Sequence, residues 1–370
     1  MTIPLPMATP DLTFQVIPND APRSPEERQA ILDNPAFGSV FTDHMVDICW
    51  SEKGGWHRPR VQPYGPIPMD PAASVLHYGQ EIFEGLKAYR HADGSIWTFR
   101  ADQNAKRLQN SAKRMALPEL PEQHFLQSLR ELIAVDGDWV PSAPETSLYL
   151  RPFMFAKEAF LGVRASKKVA YYVIASPAGA YFSGGVNPVS IWLSTQYSRA
   201  GKGGTGAAKT GGNYAASLVA QAEAAEHGCQ QVMFLDSVEG KYLEELGGMN
   251  LVLVTKDGTL ITPKSETILP GITRDSILQM AEDDGHTVER RPVSLEEWRD
   301  GVESGHITEA FACGTAAVVT PIGQLKGEDF TIGDPDQPAG ELTMSLRQKL
   351  TDIQYGRAED RYGWMVRLDS

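Results

Sequence analysis

The sequence predicts an α+β fold with largely antiparallel sheets, divided between two domains. Three stretches have the pattern of β-hairpins, in which two apolar runs flank an Asp-Gly or Glu-Gly turn: 86–99, 231–244 and 251–262. Helical patterns lie between them, with apolar residues three and four positions apart. Hairpins mixed with helices favour antiparallel sheets. At 370 residues the chain is long enough for two domains of ordinary size.

Four long helices are predicted, over 104–115, 121–135, 213–227 and 273–284. The first stops before Pro118, and the last two are followed by Gly228 and Gly285, a residue type that often ends a helix. Ser294 lies three residues before Glu297, which is the spacing of a capping box and predicts another helix start.

Prolines and glycines set the predicted domain boundaries. Seven prolines in residues 1–36 predict an irregular arm. One domain is expected over 37–177, an interdomain loop over 178–189, and a second domain over 190–370. The loop is assigned there because the stretch from Ser176 to Pro188 concentrates Pro, Gly and Ser between two apolar strands.

Composition narrows the class of protein. A formal net charge of −13 argues against nucleic acid or an anionic membrane as the main partner. Cys49, Cys229 and Cys313 are far apart and lack CxxC spacing, which predicts neither a disulfide framework nor a metal site. The N-terminus lacks a signal-peptide pattern, and the most apolar segment, 169–174, is too short to span a bilayer. We expect a cytoplasmic protein.

Residues 203–212 carry the strongest chemical signal. Five glycines surround Lys209, and a predicted helix follows at once. A solvated surface loop is one interpretation, because glycine-rich stretches are common. A phosphate-binding P-loop is another, but it requires a glycine directly before the lysine, and Ala208 stands there.

Pyridoxal phosphate chemistry fits this segment better. That cofactor needs a lysine amine for a Schiff base, an acid at its ring nitrogen, a donor at its phenolate oxygen and NH groups for its phosphate. Lys209, Glu245 and Tyr214 are candidates for the first three. The helix start at 269–274 and the small-residue turn at 314–316 can offer NH groups. Spacing alone leaves open whether these segments meet in space.

Together, these segments resemble the branched-chain aminotransferases, which are fold-type IV pyridoxal phosphate enzymes. The resemblance runs from about residue 37 to the C-terminus, with motifs in family order that include Phe83-Glu84-Gly85-Leu86-Lys87-Ala88, Ser147 to Pro152, Lys209 with Gly211-Gly212-Asn213-Tyr214, Gly247 with Met249-Asn250, Leu269-Pro270-Gly271 and Gly314-Thr315-Ala316. The fold that it implies has a smaller N-terminal α/β domain and a larger C-terminal pseudo-barrel domain that binds the cofactor.

The resemblance also implies roles for individual residues around pyridoxal 5'-phosphate. Lys209 would be the catalytic residue, which carries the cofactor as a Schiff base and moves a proton between the substrate α-carbon and the cofactor. Tyr214 would bind the phenolate oxygen, and Glu245 the ring nitrogen. The other cofactor-binding positions are Arg100, Gly271, Ile272, Thr273 and Thr315 at the phosphate and Leu269 against the ring.

On the substrate side, the implied pocket is aromatic. Its positions are Phe37, Tyr78, Phe83, Tyr149 and Tyr181, with Thr315 and Ala316 at the α-carboxylate. Val163 matches a residue that the partner subunit contributes, which implies a homodimer. Arg151 matches an arginine at the pocket edge, where it either meets the side-chain carboxylate of glutamate or forms a structural ion pair.

The implied reaction is reversible transamination between Leu, Ile or Val and 2-oxoglutarate, giving the branched 2-oxo acid and L-glutamate. A D-amino acid aminotransferase or an aminodeoxychorismate lyase shares the lysine and the acid, and a non-enzymatic binding protein would keep the pockets. The chain departs from mammalian members at Ala317 and Thr320, where they have a redox CxxC, and at Gly248, where they have threonine. We therefore expect no thiol switch at that turn.

Overall fold

The computed structural model describes residues 11–179 and 186–370, which form two compact units. The first unit comprises the described residues up to Gly179 together with Gly363–Ser370. The second unit comprises the described residues from 186 to Tyr362. Because the N-terminal arm and the C-terminal segment both join the first unit, the two units are of similar length. Tyr181 and Phe182 lie outside the described residues.

The first unit is built on one mixed sheet. Its strands are β1 (Gln15–Val16), β2 (His44–Ser51), β3 (Gly55–Pro63), β4 (Glu81–Phe83), β5 (Leu86–Arg90), β6 (Ile96–Phe99), β7 (Ser147–Ala156) and β8 (Lys168–Ala178). They are ordered β1-β3-β2-β8-β7-β5-β6, with β4 beside β7, and β1–β3 is a parallel pair. Its helices are α1 (Pro25–Asp33), α2 (Ser74–Tyr78), α3 (Ala101–Arg114) and α4 (Glu122–Asp136).

Helix α4 shows how the first core forms. Phe125, Leu129 and Leu132 recur at helical spacing, and all three are 0% exposed where α4 packs on β2 and β8. Full burial of each such side chain contributes about 1.5–3 kcal/mol. Ser128 lies on the same face and hydrogen-bonds Tyr171 of β8 at 3.0 Å, so that the polar atoms of this contact are paired.

The second unit contains the remaining sheet. Its strands are β9 (Val189–Ser194), β10 (Gln231–Leu235), β11 (Leu243–Leu246), β12 (Met249–Thr255), β13 (Leu260–Pro263), β14 (Val288–Arg291), β15 (Ile307–Gly314), β16 (Val318–Lys326) and β17 (Thr331–Gly333). Its helices are α5 (Gly211–Ala215), α6 (Leu218–Glu226), α7 (Ile272–Asp283), α8 (Leu295–Glu303) and α9 (Glu341–Gln354).

Strand pairing closes this second sheet into a barrel. Strands β9, β10, β11, β12, β15 and β16 pair in that order, and β16 returns to β9. The pairs β9–β10 and β9–β16 are parallel, and the others are antiparallel. Closure satisfies the backbone groups that an open sheet edge would expose. The predicted pseudo-barrel is confirmed.

The C-terminal strand and the N-terminal arm differ from the prediction. Strand β18 (Met365–Arg367) pairs antiparallel with β6 of the first unit, although the sequence assigned 190–370 to the second domain. The arm contains α1, whose start has a full capping box between Ser24 and Glu27, with Pro25 at the first helical position. Counting prolines as loop markers missed this helix, because proline fits the first turn, where its missing N–H is not needed.

The predicted hairpins at 86–99, 231–244 and 251–262 are present as antiparallel pairs. The predicted helix 213–227 is divided into α5 and α6. At the break, Ser217 Oγ donates to the Tyr214 carbonyl oxygen at 2.7 Å, a local bond that competes with helix continuation. At α8, Ser294 Oγ accepts from the Glu297 N–H at 3.0 Å, while the Glu297 carboxylate binds Arg291.

Within the described ranges, no helix has both the length and the apolar character needed to cross a bilayer. The three cysteines are buried thiols.

A buried ion pair in the first unit gives a stability prediction. Arg107 of α3 contacts Glu84 by two bonds of 2.8 Å, and Glu84 is 0% exposed. Arg107→Met should lower the free energy of unfolding by about 3–5 kcal/mol, because it leaves a buried carboxylate without its cation. Equilibrium urea unfolding measures this. Lys106→Met is the matched control, since the Lys106–Asp102 pair lies at the surface and should cost under about 1 kcal/mol. An equal loss of unfolding free energy in the two variants would contradict a special contribution from the buried pair.

Candidate active site

Lys209 lies in the Gly-rich loop (203–212), which follows β9 and includes the first two residues of α5. Asn213 of α5 holds this loop by donating from Nδ2 to the carbonyl oxygens of Thr205 at 2.8 Å and Ala208 at 2.9 Å. Thr205 Oγ1 donates back to Asn213 Oδ1 at 2.7 Å. Because Ala208 and Asn213 are both buried, the backbone that carries Lys209 is fixed on each side.

Lys209 and Tyr214 meet at the start of α5. Lys209 Nζ donates to the Tyr214 hydroxyl at 2.6 Å and lies 5.0 Å from the ring centroid. The Tyr214 ring packs on Gly248, where an added Cβ would come within 3.1 Å of ring atom Cε1. A larger residue at 248 would therefore press on this phenol, which gives a packing reason for the glycine.

Glu245 is a buried carboxylate on β11, 2% exposed. Its Oε2 accepts from the Leu269 N–H at 2.9 Å and from Arg199 Nη2. Arg199 is itself 5% exposed, and its Nη2 also donates to the carbonyl oxygens of Gly206 at 3.2 Å and Thr267 at 3.1 Å. Burial lowers the pKa of Arg199, while nearby Tyr214 and Glu244 act to raise it. Two buried charges are tolerated here because each has its partner.

The start of α7 is fixed to β12. Asn250 Nδ2 donates to the Leu269 carbonyl oxygen at 3.2 Å. A Cβ at Gly271, the N-cap of α7, would lie 1.8 Å from Asn250 Oδ1, so this close approach requires glycine. The helix then begins with Ile272 and Thr273. The N–H groups of such a first turn carry partial positive charge and suit a phosphate.

Thr315 and Ala316 form the half-buried turn between β15 and β16. Gly314, just before them, packs on Met249 of β12, where an added Cβ would lie 3.3 Å from Cγ. This turn therefore lies beside the β11–β12 hairpin that carries Glu245.

These groups of the second unit fit pyridoxal 5'-phosphate. A lysine amine touches a phenol, a buried carboxylate is held by an arginine, and a helix start offers backbone donors. The donor set matches the reactive aldehyde, the phenolate oxygen, the ring nitrogen and the phosphate of that cofactor in chemical type.

In the first unit, four predicted substrate-side residues form one cluster. The Arg151 guanidinium lies 4.7 Å from the Phe83 ring centroid and 5.3 Å from that of Tyr149. Its Nη2 donates to the Tyr149 hydroxyl at 3.0 Å, and its buried Nε has no hydrogen-bond partner among the described residues. Phe37 meets Tyr149 edge-on at 5.0 Å. The cluster combines apolar walls with a cation.

The remaining predicted residues of the first unit have other contacts. The Tyr78 hydroxyl donates to the Leu161 carbonyl oxygen, and Val163 is 86% exposed. Arg100 has a left-handed backbone (φ 48°) at the N-cap of α3, and its guanidinium lies 5.2 Å from the Trp364 ring centroid. Tyr181 lies outside the described residues.

Comparison with known proteins identifies the family. Residues 81–325 match the family model "Amino-transferase class IV". The branched-chain-amino-acid aminotransferase of Mycolicibacterium smegmatis is 59% identical over 97% of this chain and 99% of its own length. The branched-chain-amino-acid aminotransferase of Mycobacterium tuberculosis is 57% identical over 98% of this chain and all of its own length. The chain belongs to the class IV aminotransferases.

Solved structures agree with this family assignment. The branched-chain aminotransferase of Escherichia coli has a TM-score of 0.70 at 28% identity, covering 87% of this chain and 99% of its own. The same values of TM-score, identity and coverage of this chain hold for the T.th. enzyme complexed with N-(5'-phosphopyridoxyl)-L-glutamate, of which 98% is covered. The fold is fold-type IV, and the cofactor of the aminotransferase is pyridoxal 5'-phosphate.

The sequence missed several residues that build this site. Arg199 and Thr267 belong to no recognisable motif. Arg199 contacts both Glu245 and Thr267, and these contacts join segments that are distant in sequence. Asn213 and Asn250 lie within the motifs shared with the family, so their positions beside Tyr214 and near Glu245 were the available signal. Glu244 and Glu245 are both 2% exposed, although residue type alone favours a solvated position for glutamate.

Gly206 tests the packing of the Gly-rich loop. A Cβ at this position would lie 2.1 Å from the Thr267 carbonyl oxygen, which is also held by Arg199. Gly206→Ala should lower the stability of the cofactor-free protein by about 1–3 kcal/mol, because backbone must move to admit the methyl group. Thermal unfolding measures this. Gly212→Ala is the control, since beyond its chain neighbours and its own helix backbone no described atom lies within 4 Å of its Cβ, and alanine favours the helix. A Gly206 variant as stable as wild type would refute the close contact.

Proposed function

We propose that this enzyme catalyses reversible transamination between a branched-chain L-amino acid and 2-oxoglutarate, giving the branched 2-oxo acid and L-glutamate. The observation that carries the proposal is the 2.6 Å contact of Lys209 with Tyr214, in the unit whose buried Glu245 is paired with Arg199. The close relatives named as branched-chain aminotransferases favour this reaction over those of D-amino acid aminotransferases and aminodeoxychorismate lyases.

Lys209 is proposed to carry the cofactor and then to move the proton at the substrate α-carbon. When bound, pyridoxal 5'-phosphate supplies the electron sink that makes this proton removable. The neutral amine is the form that can accept a proton as a general base. The contact with Tyr214 orients Nζ, and Asn213 fixes the loop on which the lysine stands.

The second unit is proposed to bind the cofactor at four places. Tyr214 holds the phenolate oxygen, and Glu245 holds the ring nitrogen as an ionised carboxylate, because Arg199 favours its charged form. Leu269 packs on the ring. The phosphate binds to the α7 start and the β15–β16 turn, through Gly271, Ile272, Thr273 and Thr315; Arg100 of the first unit is proposed as its cation.

The substrate side chain is proposed to meet the aromatic residues Phe37, Tyr78, Phe83, Tyr149 and Tyr181, with the α-carboxylate at Thr315 and Ala316. Apolar rings suit leucine, isoleucine and valine. Arg151 suits the second carboxylate of glutamate, because it lies among those rings with an Nε that no described residue binds. Solved relatives support the binding of both an apolar side chain and glutamate, since one structure of the T.th. enzyme holds a phosphopyridoxyl-glutamate and another holds 4-methylvaleric acid.

Borohydride trapping tests the lysine. Reduction of the loaded enzyme followed by peptide mapping should give a pyridoxyl adduct on Lys209. Lys209→Ala should retain some cofactor but lose turnover of leucine with 2-oxoglutarate by at least about a hundredfold, since the proton shuttle is missing. Lys202→Ala is the control in the same region of the chain and should behave as wild type. An adduct on another lysine, or near-normal turnover of Lys209→Ala, would sink the assignment.

A homodimer in the cytoplasm is proposed as the working form. Exposed apolar side chains of the first unit support it: Leu76, Tyr78, Phe160, Leu161 and Val163 are 58%, 42%, 38%, 61% and 86% exposed. Exposed apolar residues gathered in two neighbouring segments are typical of a surface that a second protein covers. Tyr78 and Leu161 are hydrogen-bonded to each other, so the two segments lie together.

Val163→Asp should weaken self-association at least about tenfold, because a buried interface would have to take up an unpaired charge. Sedimentation velocity over a range of protein concentrations measures the shift. Val238→Asp is the matched control, since Val238 is 72% exposed and lies in the second unit. The dimer surface is misassigned if both variants sediment like wild type.

A further inference from the structure

Glu244 is a second buried carboxyl group directly beside Glu245. It is 2% exposed, although glutamate is rarely buried without a positive partner. Its Oε1 accepts from Thr267 Oγ1 and from Ser265 Oγ, the latter at 3.4 Å, and its Oε2 has no hydrogen-bond partner in the described part of the chain. Successive residues of a strand point to opposite faces, so Glu244 acts on its neighbour through other groups.

Those other groups lie in one short segment, 265–269. Thr267 donates its hydroxyl to Glu244, while its carbonyl oxygen accepts from Arg199 at 3.1 Å. The N–H of Leu269, two residues on, donates to Glu245 at 2.9 Å. Arg199 also binds Glu245 directly. One segment therefore joins Glu244, Arg199 and Glu245.

The charges in this cluster do not balance when both glutamates are ionised. Arg199 neutralises one carboxylate, and its bonded partner is Glu245. Burial accordingly raises the pKa of Glu244, against the opposite effects of Thr267 and Arg199. A protonated ring nitrogen bound at Glu245 adds a second cation, and two cations then face two carboxylates.

We propose that Glu244 is a positioning residue that supplies the second negative charge when the cofactor is bound, acting through Thr267 and Arg199. Burial and the unpartnered Oε2 favour its neutral form in the cofactor-free protein, and docking of the positive ring nitrogen favours release of its proton to solvent. The inference rests on the proposed binding of that nitrogen by Glu245.

Other titratable groups near Glu244 belong to several elements. Arg199 and Asp236 act on it electrostatically, and Glu245 follows it on β11. Further groups line a cavity of about 390 Å³ with it: Lys202, Glu239, Tyr242, Lys264 and Glu266. They are common to wild type and variant, so a comparison of the two at each pH isolates Glu244.

The test compares Glu244→Gln with wild type, with and without pyridoxal 5'-phosphate. Glutamine mimics the neutral carboxyl, so the cofactor-free variant should unfold at the wild-type temperature or above. At neutral pH its Kd for pyridoxal 5'-phosphate should rise about tenfold, as for an interaction of one pKa unit. The ratio of variant to wild-type Kd should grow as pH rises, because only the wild type gains a carboxylate.

Two further variants separate this role from plain packing. Glu239→Gln removes an exposed charge that lines the same cavity, and its Kd should stay at the wild-type value. Thr267→Val should weaken cofactor binding, and Thr267→Ser should restore it. The proposal is overturned if Glu244→Gln binds the cofactor as tightly as wild type, or if it destabilises the cofactor-free and loaded proteins equally. These measurements use no amino acid, so a wrong substrate assignment would leave them unaffected, whereas a wrong cofactor lysine would show in the borohydride map.

Discussion

A buried charge is stabilised by a buried countercharge, and the pair of Arg199 and Glu245 is the contact on which the candidate site of the second unit depends. Arg199 stands before the Gly-rich loop, and Glu245 stands on a barrel strand. The same guanidinium holds the carbonyl oxygens of Gly206 and Thr267. One side chain thus sets the Gly-rich loop, the acid and the segment before α7 in a common frame.

Closure of the barrel makes this frame rigid. Strand β11 pairs with β10 on one side and β12 on the other, so the backbone that carries Glu245 is fixed from both directions. Asn250 of β12 then fixes the bend before α7 through Leu269 and the close approach at Gly271. Lys209 and Tyr214 need less support, because only five positions separate them along the chain. The aromatic cluster around Arg151 in the first unit has a different basis, since β7 places Tyr149 and Arg151 on one face of a strand.

Local signals predicted much of the fold because they act within one element. The Asp-Gly turn between β5 and β6 and the helical spacing in α4 needed no distant partner. Longer-range events were missed for the converse reason. Strand β18 pairs with β6 of the first unit, although most of the chain separates the two strands in sequence. No local pattern near Met365 predicts this pairing. The break after α5 was missed too, although it is local: there the Ser217 hydroxyl binds the Tyr214 carbonyl oxygen.

The sequence by itself determined the chemistry: a lysine among glycines, a tyrosine five residues on, an acid and a helix start in an order that resembles one enzyme family. These are properties of residue type and spacing, which a linear chain displays. Only the tertiary structure decided which acidic group is paired with a positive one. Glu244 and Glu245 look alike in sequence, yet one is bound by Thr267 and Ser265 and the other by Arg199. Burial and partner choice separate them, because the energy of a carboxylate depends on its surroundings rather than on its neighbours in sequence.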